Sequence, residues 1–188
     1  MAESKNNVVT HGLSGTIGDM LIFSQRYGKT IVSKVPDRSK IIESEKQRAQ
    51  RDRFQEAIVY GKIAVSDPEL NAAYRAKAGK GLTGYNVAIA DMLHAPDIKS
   101  IDLSDYTGKA GDVIRVSVTD DFMVKDVKIS IVNIDGTLVE EGSAVPDASG
   151  YLWTFKATQN NDSLIGDKIT VTASDLPGNV TQEEQVLS

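Results

Sequence analysis

The fold of this chain is decided by two stretches of sequence, Asp-Val-Ile-Arg-Val-Ser-Val-Thr at residues 112–119 and Val-Lys-Asp-Val-Lys-Ile-Ser-Ile-Val-Asn at residues 124–133. Apolar and polar residues alternate in both, as Ile114, Val116 and Val118 do in the first. A period of two is typical of a strand with one buried face. The two stretches therefore predict neighbouring strands of a sheet that contributes one face to a core.

The same alternation continues to the end of the chain, where turn signals such as Asp135-Gly136 separate the apolar segments. Short strands at this spacing are typical of an immunoglobulin-like β-sandwich, and a barrel of similar size is the alternative. Trp153 and Phe155 lie two apart on one strand, so we expect them in the core; an exposed platform for carbohydrate is the alternative interpretation. The predicted strands span residues 98–106, 112–119, 124–133, 137–141, 151–157, 168–173 and 180–187.

The first half of the chain predicts a β-hairpin followed by three helices. Strands at residues 20–25 and 30–35 flank a turn in which Gly28 tolerates a positive φ. One helix is expected from near Ser44, a second from Asp67-Pro68, and a third over residues 85–93.

These elements predict an α+β, two-domain protein with its boundary at Ala95-Pro96-Asp97. Residues 1–13 are polar and are expected to form a flexible arm. Residues 14–96 are expected to form a domain of a β-hairpin and about three helices. Residues 97–188 are expected to form the all-β, immunoglobulin-like sandwich.

Charge and composition narrow the class of protein. Residues 1–96 carry 14 Lys and Arg against 10 Asp and Glu, a net charge of +4, whereas residues 97–188 carry 7 against 16, a net charge of −9, which together give −5. The acidic half argues against binding to nucleic acid, and the basic half is too weakly basic to favour it. The chain has no Cys, which excludes disulfides and zinc–thiolate sites.

The second half resembles a bacterial immunoglobulin-like domain over residues 98–188. The resemblance rests on four segments, at residues 111–121, 124–129, 153–158 and 169–181. It implies a β-sandwich and an extracellular, cell-surface or virion setting, as in bacterial surface proteins and phage particles. The first half is similar to small uncharacterised bacterial proteins that combine a Gly-rich hairpin, a Gln/Arg-rich helix and a Tyr-Asn helix start, here Tyr85-Asn86, and that similarity implies no activity.

The first residues contain no apolar segment of signal-peptide length, so the sequence indicates no export route. The chain also has no run of about 18 apolar residues, so no transmembrane segment is expected.

Candidate metal ligands are the carboxylates of Asp120, Asp121 and Asp175, which fall in predicted loops of the sandwich. Loops at one end of a sandwich converge, and clustered carboxylates hold Ca²⁺ through hard oxygen ligands. Because Asp also favours turns and solvent by itself, the competing interpretation is that all three are ordinary turn residues.

The sequence contains no catalytic constellation and predicts no cofactor other than this calcium. Gly12-Leu13-Ser14-Gly15 does not match a nucleophile elbow, because the second Gly comes one position early. His11 and His94 are the only histidines, and no motif surrounds either. We therefore expect a protein that is not an enzyme.

The strand at residues 20–23 is apolar on both faces, which is unusual for an edge hairpin that meets water. Such a strand completes a neighbour's sheet by strand addition or lies between two layers. We therefore expect a structural protein that assembles with itself into a filament or another homo-oligomer and displays its immunoglobulin-like domain. The alternative is a phage-virion or cell-surface adhesin whose immunoglobulin-like loops bind a surface glycan or protein. The residues assigned to self-association are Met20, Leu21, Ile22, Phe23, Ile31 and Val32.

Overall fold

The structure of the protein is a computed structural model that describes residues 2–4, 8–37 and 43–187. In this part of the chain it is an α+β protein with three helices and three four-stranded antiparallel sheets. The chain divides into two compact units, residues 1–45 and residues 46–188. Among the described residues, no helix is both long enough and apolar enough to cross a membrane.

The first unit is a small sheet with the strand order β1-β4-β3-β2. Its strands are β1 (Ala2–Ser4), β2 (Gly15–Ile17), β3 (Leu21–Arg26) and β4 (Lys29–Lys34). The predicted hairpin is confirmed: β3 and β4 pair directly and are joined by Tyr27 and Gly28, whose φ angles of 50° and 75° suit a two-residue turn that matches the twist of the strands.

Two strands of this sheet, β1 and β2, lie outside the predicted strands. Residues 2–4, expected in a flexible arm, pair with β4, and residues 15–17, just beyond that arm, pair with β3. The physical reason is that a lone hairpin leaves both outer rows of backbone N–H and C=O groups unpaired, so even short polar segments gain by adding to its edges.

The helices of the second unit are α1 (Glu45–Ser66), α2 (Pro68–Lys77) and α3 (Gly84–Leu93), close to the predicted positions. Asp67 caps α2 by accepting hydrogen bonds from two backbone N–H groups, and Thr83 forms a capping box with Asn86 at the start of α3. The helices α1 and α3 pack closely at Gly61, where a Cβ would lie 2.9 Å from the side chain of Ile89.

Two further sheets form a β-sandwich after α3. Their strand orders are β5-β6-β10-β9 and β12-β11-β7-β8. The seven predicted strands are present, and the short β9 was not predicted because two residues carry no periodicity. The strands are β5 (Asp97–Asp102), β6 (Val113–Thr119), β7 (Val124–Val132), β8 (Leu138–Ser143), β9 (Val145–Pro146), β10 (Leu152–Lys156), β11 (Lys168–Asp175) and β12 (Val180–Val186).

The two sheets share one hydrophobic core, to which the inward residues of β6, β7, β10 and β11 contribute. Trp153 and Phe155 each retain 4% of their exposed area, as expected for core residues. Burial of Trp153 makes the alternative interpretation, an exposed aromatic platform, wrong for this strand.

The helices belong to the same compact unit as the sandwich, whereas the sequence placed a domain boundary between residues 96 and 97. Phe122 and Leu176, from two loops of the sandwich, pack in the small helical core around Tyr74. The rings of Tyr74 and Phe122 are 4.1 Å apart between centroids. Because these two loop residues complete the helical core, contacts join the helices to the sandwich.

Candidate functional site

Three carboxylates meet where α3 packs against one end of the sandwich. Asp91 comes from the last turn of α3, Asp120 from the loop between β6 and β7, and Asp175 from the end of β11. One oxygen of each residue lies within 4.8 Å of the other two. Asp91 and Asp175 are buried, and Asp120 is half-buried.

Asp175 and Asp120 are held by the turns that contain them. Asp175 accepts hydrogen bonds from the backbone N–H groups of Gly178 (2.8 Å) and Asn179 (2.6 Å), and from the Asn179 side chain (2.7 Å). Asp120 accepts through Oδ2 from the backbone N–H groups of Phe122 (3.2 Å) and Met123 (2.9 Å). Both are turn geometries that Asp favours on its own, so the competing turn interpretation describes part of their role.

Asp91 is held by a tyrosine pair. The Tyr74 hydroxyl donates to Asp91 Oδ2 over 2.5 Å, and the hydroxyls of Tyr60 and Tyr74 are 2.8 Å apart. A carboxylate in an otherwise apolar helix is tolerated in a core only where donors meet it. The tyrosine pair meets one of its two oxygens.

Two carboxylate oxygens of the cluster are buried without a hydrogen-bond partner, Oδ1 of Asp91 and Oδ1 of Asp120. They are the oxygens that the tyrosine and the turn N–H groups leave free. Since most buried polar atoms in proteins have a partner, such a pair calls for a physical explanation.

The cluster perturbs the protonation of its members. Burial first, and then the carboxylate of Asp120, which is close enough to share a proton with Asp91, together with Asp175, raise the pKa of Asp91 to about 7; the hydrogen bond from Tyr74 acts in the opposite direction. Burial also raises the pKa of Asp175, against the hydrogen bonds from Asn179 and Gly178. The same burial raises the pKa of Tyr74 and that of Tyr60.

Asn179 connects this site to the end of α3. The two N–H groups of its side-chain amide are shared among the carbonyl oxygens of Asp91 (3.1 Å), Met92 (3.3 Å) and His94 (3.3 Å) and the carboxylate of Asp175. The last carbonyls of a helix have no partner within the helix, so this amide caps α3 from the sandwich side.

The three residues predicted as metal ligands separate into two groups. Asp120 and Asp175 lie in the cluster, as the convergence of loops predicts, but Asp121 turns away, and its Oδ2 lies 2.6 Å from Nδ1 of His94 in an exposed pair. Metal binding by these residues stays a prediction. The third carboxylate of the cluster is Asp91 and not the predicted Asp121.

Asp91 was not predicted as a site residue, because in the sequence it is one position of a short, mostly apolar helix. A signal was present: Asp91 is the single acidic residue in Gly-Tyr-Asn-Val-Ala-Ile-Ala-Asp-Met-Leu, where most positions are available for burial. A carboxylate at such a position predicts a buried partner, but the partner comes from loops far along the chain and has no local signature.

The predicted self-association residues lie in β3, in β4 and in the turn before β3, and they differ in exposure. Met20 is 68% exposed and Leu21 is 39% exposed, whereas Phe23 is buried and Val32 lies opposite it in the register. Leu21 and Phe23 share one face of the sheet because they are two residues apart.

No family model matches the chain, and no curated protein matches it. Among solved structures, the chain is similar to the crystal structure of CopC from Methylosinus trichosporium OB3b, at 18% sequence identity and a TM-score of 0.36, over 48% of this chain and 88% of that one. A likeness of this degree carries no argument about function. The functional argument therefore depends on the residues of this chain.

Proposed function

We propose that this protein is a non-enzymatic structural protein that associates with itself through its N-terminal unit and displays an immunoglobulin-like domain. One observation carries the proposal: among the described residues of the first unit, Phe23 is the one buried hydrophobic side chain. A sheet with so small a core needs another surface to cover it.

The energetic argument is simple. Burial of one Phe side chain contributes about 1.5–3 kcal/mol, whereas ordering each residue of a strand costs about 1–2 kcal/mol of backbone entropy. In units below about 70–80 residues a single core rarely supplies more than about 3–5 kcal/mol, so such units add a disulfide, a metal or a partner, and this chain has no Cys. Association with another surface would supply the missing burial.

The exposed apolar side chains of the unit are grouped. Ile17 of β2 pairs with Leu21 of β3 in the register, so the two lie side by side, and Met20 in the turn between these strands is 68% exposed. The outer strands β1 and β2 each have one neighbour in the sheet. An apolar patch beside an open edge favours addition of a further strand.

The occupant we propose is a second copy of this chain. Residues 1–45 carry 6 Lys and Arg against 5 Asp and Glu, a net charge of +1, whereas residues 46–188 carry 15 against 21, a net charge of −6, so unlike units of two copies attract each other weakly. Such complementarity steers and orients association. A contact between different surfaces of two copies is heterologous and generates a ring or an open filament.

The displayed part is the sandwich, and its strand order supports an immunoglobulin-like domain. If β5 to β12 are lettered A, B, C, C′, D, E, F and G in chain order, the sheets read A-B-E-D and G-F-C-C′. These are the orders of immunoglobulin-type sandwiches.

A second candidate function, adhesion through the sandwich loops, is favoured by one cleft. The loops at residues 120–123 and 175–179 are covered by the helices, but the opposite end has an open cleft of about 470 Å³ lined by polar residues. Asn133, Asp135, Asn160 and Asp162 are among its lining residues, and such a surface suits a polar partner such as a glycan.

The self-association proposal is tested by sedimentation velocity of the full chain over a range of concentrations, together with negative-stain electron microscopy. We expect concentration-dependent oligomers for the native chain and monomers for the double variant Ile17→Lys/Met20→Lys, because two charges enter the apolar patch. The matched control is Ile165→Lys, a change at a 77% exposed position of the sandwich, which should sediment like the native chain.

Two outcomes would reject the proposal. One is a native chain that stays monomeric at its highest soluble concentration. The other is a double variant that assembles like the native chain, since the contact surface would then lie outside the apolar patch of the N-terminal unit.

A further inference from the structure

The carboxylate cluster of Asp91, Asp120 and Asp175 has the dimensions of a cation site. Its three oxygens lie within 4.8 Å of one another. Ca²⁺ binds oxygen at about 2.3–2.6 Å, so two ligands of one ion lie at most about 5 Å apart. Three oxygens at this spacing lie at most about 2.8 Å from a common centre, so a single ion reaches all three after shifts of a few tenths of an ångström.

A second observation, independent of this spacing, points to a ligand. Oδ1 of Asp91 is buried without a hydrogen-bond partner on a residue that is 0% exposed, and Oδ1 of the half-buried Asp120 is also buried without a partner. The other oxygen of each residue is occupied, by the Tyr74 hydroxyl for Asp91 and by turn N–H groups for Asp120. The two free oxygens are the acceptors that a cation would use.

The charges around the free oxygens have one sign. The charged groups that act most strongly on Asp91 are Asp120 and Asp175, and both are acidic. His94 is engaged with Asp121 in an exposed pair. Three carboxylates that approach one another in a partly desolvated site repel, and a cation between them reverses that energy.

From this geometry we propose that Asp91, Asp120 and Asp175 bind a divalent cation, with Ca²⁺ preferred, and that the ion fastens the last turn of α3 to two loops of the sandwich. The three ligands, which all belong to the second unit, are different residues from those changed to test self-association, so the two proposals can fail separately.

The donor set selects the class of metal. All three ligands are carboxylate oxygens, which suit hard cations, whereas Zn²⁺ is usually held by nitrogen and sulfur. Mg²⁺ demands near-octahedral geometry at about 2.0–2.1 Å, and Ca²⁺ accepts irregular sets completed by water. The half-buried Asp120 gives the side from which water and the ion would enter.

The ion would act as a cross-link between segments that are distant in sequence. Asn179 already ties the carbonyls at the end of α3 to the same loop as Asp175. A ligand that binds the folded state alone raises its stability. We therefore expect the cation to stabilise the packing of the helices on the sandwich.

The test is titration of the EDTA-treated full chain with CaCl₂ and, separately, MgCl₂ by isothermal calorimetry, paired with thermal unfolding. We expect one Ca²⁺ per chain, weaker Mg²⁺ binding, and a higher Tm with Ca²⁺. Asp91→Asn and Asp120→Asn should each weaken Ca²⁺ binding about tenfold or more, since even partners that do not touch a metal alter affinity by about 10–100-fold. Asp121→Asn is the matched control and should bind like the native chain.

Terbium luminescence locates the ion. Tb³⁺ replaces Ca²⁺ at oxygen sites, and Tyr74, which is hydrogen-bonded to Asp91, is placed to sensitise it. We expect luminescence that Ca²⁺ displaces and that Tyr74→Phe reduces.

Three results would overturn the proposal. The first is a native chain that shows neither binding heat nor a Tm change with either cation. The second is Asp91→Asn or Asp120→Asn that folds and binds Ca²⁺ like the native chain. The third is an Asp121→Asn variant that loses binding as they do. The native chain could also show no cation response while Asp91→Asn is more stable than the native chain at alkaline pH. In that case a proton shared between Asp91 and Asp120, and not a cation, would occupy the two free oxygens.

Discussion

Gly108 lies where two loops of the sandwich touch, and its missing side chain is what allows the contact. Its φ is +85°, and an added Cβ would lie 2.5 Å from the backbone oxygen of Asn161. The backbone N–H of Asn161 in turn donates to the carbonyl oxygen of Gly108 over 2.8 Å. Gly111, in the same loop, has a φ of +101° but open space around it.

We predict different costs for Ala at these two glycines. Gly111→Ala should lower the free energy of unfolding by about 1 kcal/mol through backbone strain alone. Gly108→Ala should lower it by about 2–4 kcal/mol, because a clash with a backbone atom adds to the strain. Urea unfolding measures both. Equal losses would show that the contact with Asn161 relaxes without cost.

At the scale of an element, Asp112 closes the loop that leads from β5 into β6. Its Oδ2 accepts hydrogen bonds from the Thr107 N–H (2.6 Å), the Thr107 hydroxyl (2.8 Å) and the Lys109 N–H (3.0 Å). The hydrogen bonds from Lys109 and then Thr107 hold the pKa of Asp112 below its usual range. A carboxylate used in this way fixes the loop without an extra element.

The lowered pKa makes this loop sensitive to acid. A depressed pKa in the folded state contributes stability above the unfolded value of about 3.9, and that stability is lost as the pH falls through the folded pKa. We therefore predict that Tm falls less on acidification below about pH 4 for Asp112→Asn than for the native chain.

Thr107→Val, which removes one of the three donors, should give an intermediate acid dependence. Thermal unfolding followed by circular dichroism over a pH series measures it. Parallel curves for all three proteins would contradict the assignment.

At the scale of the whole molecule, the two compact units differ in how much hydrophobic core their described residues contain. Residues 46–188 contain both hydrophobic cores, and the helical one includes Phe122 and Leu176 from the sandwich loops. The helical core therefore includes side chains from the second half of the chain. Residues 1–45 are a separate unit, and its described residues bury little apolar surface.

This division predicts how fragments behave. A fragment of residues 46–188 should unfold in one cooperative transition, because its cores are intact. A fragment of residues 97–188 should be less stable by about 1–3 kcal/mol, since full burial of a large apolar side chain contributes about 1.5–3 kcal/mol and the partly buried Phe122 and Leu176 would both be exposed. Calorimetry of the two fragments measures this, and equal stability would favour a domain boundary at residue 96.

Much of the local structure was predictable because its causes are local. The alternation around Val116 predicts a buried strand, and Asp67-Pro68 predicts the start of α2. The short strands β1 and β9 were not predictable, since edge pairing depends on a neighbour rather than on periodicity. At the candidate site, Asp120 and Asp175 could be named from loop convergence, but Asp91 could not.

Periodicity and capping act within a few residues, so the amino-acid sequence was enough to predict the α+β class, the three helices, the strands of the sandwich and the burial of Trp153. Three features became evident only in the folded chain: the helices pack on the sandwich, Asp121 pairs with His94, and Asp91 joins Asp120 and Asp175. These contacts join residues far apart in the chain. Their energy comes from desolvation and charge at close range, which no local pattern encodes.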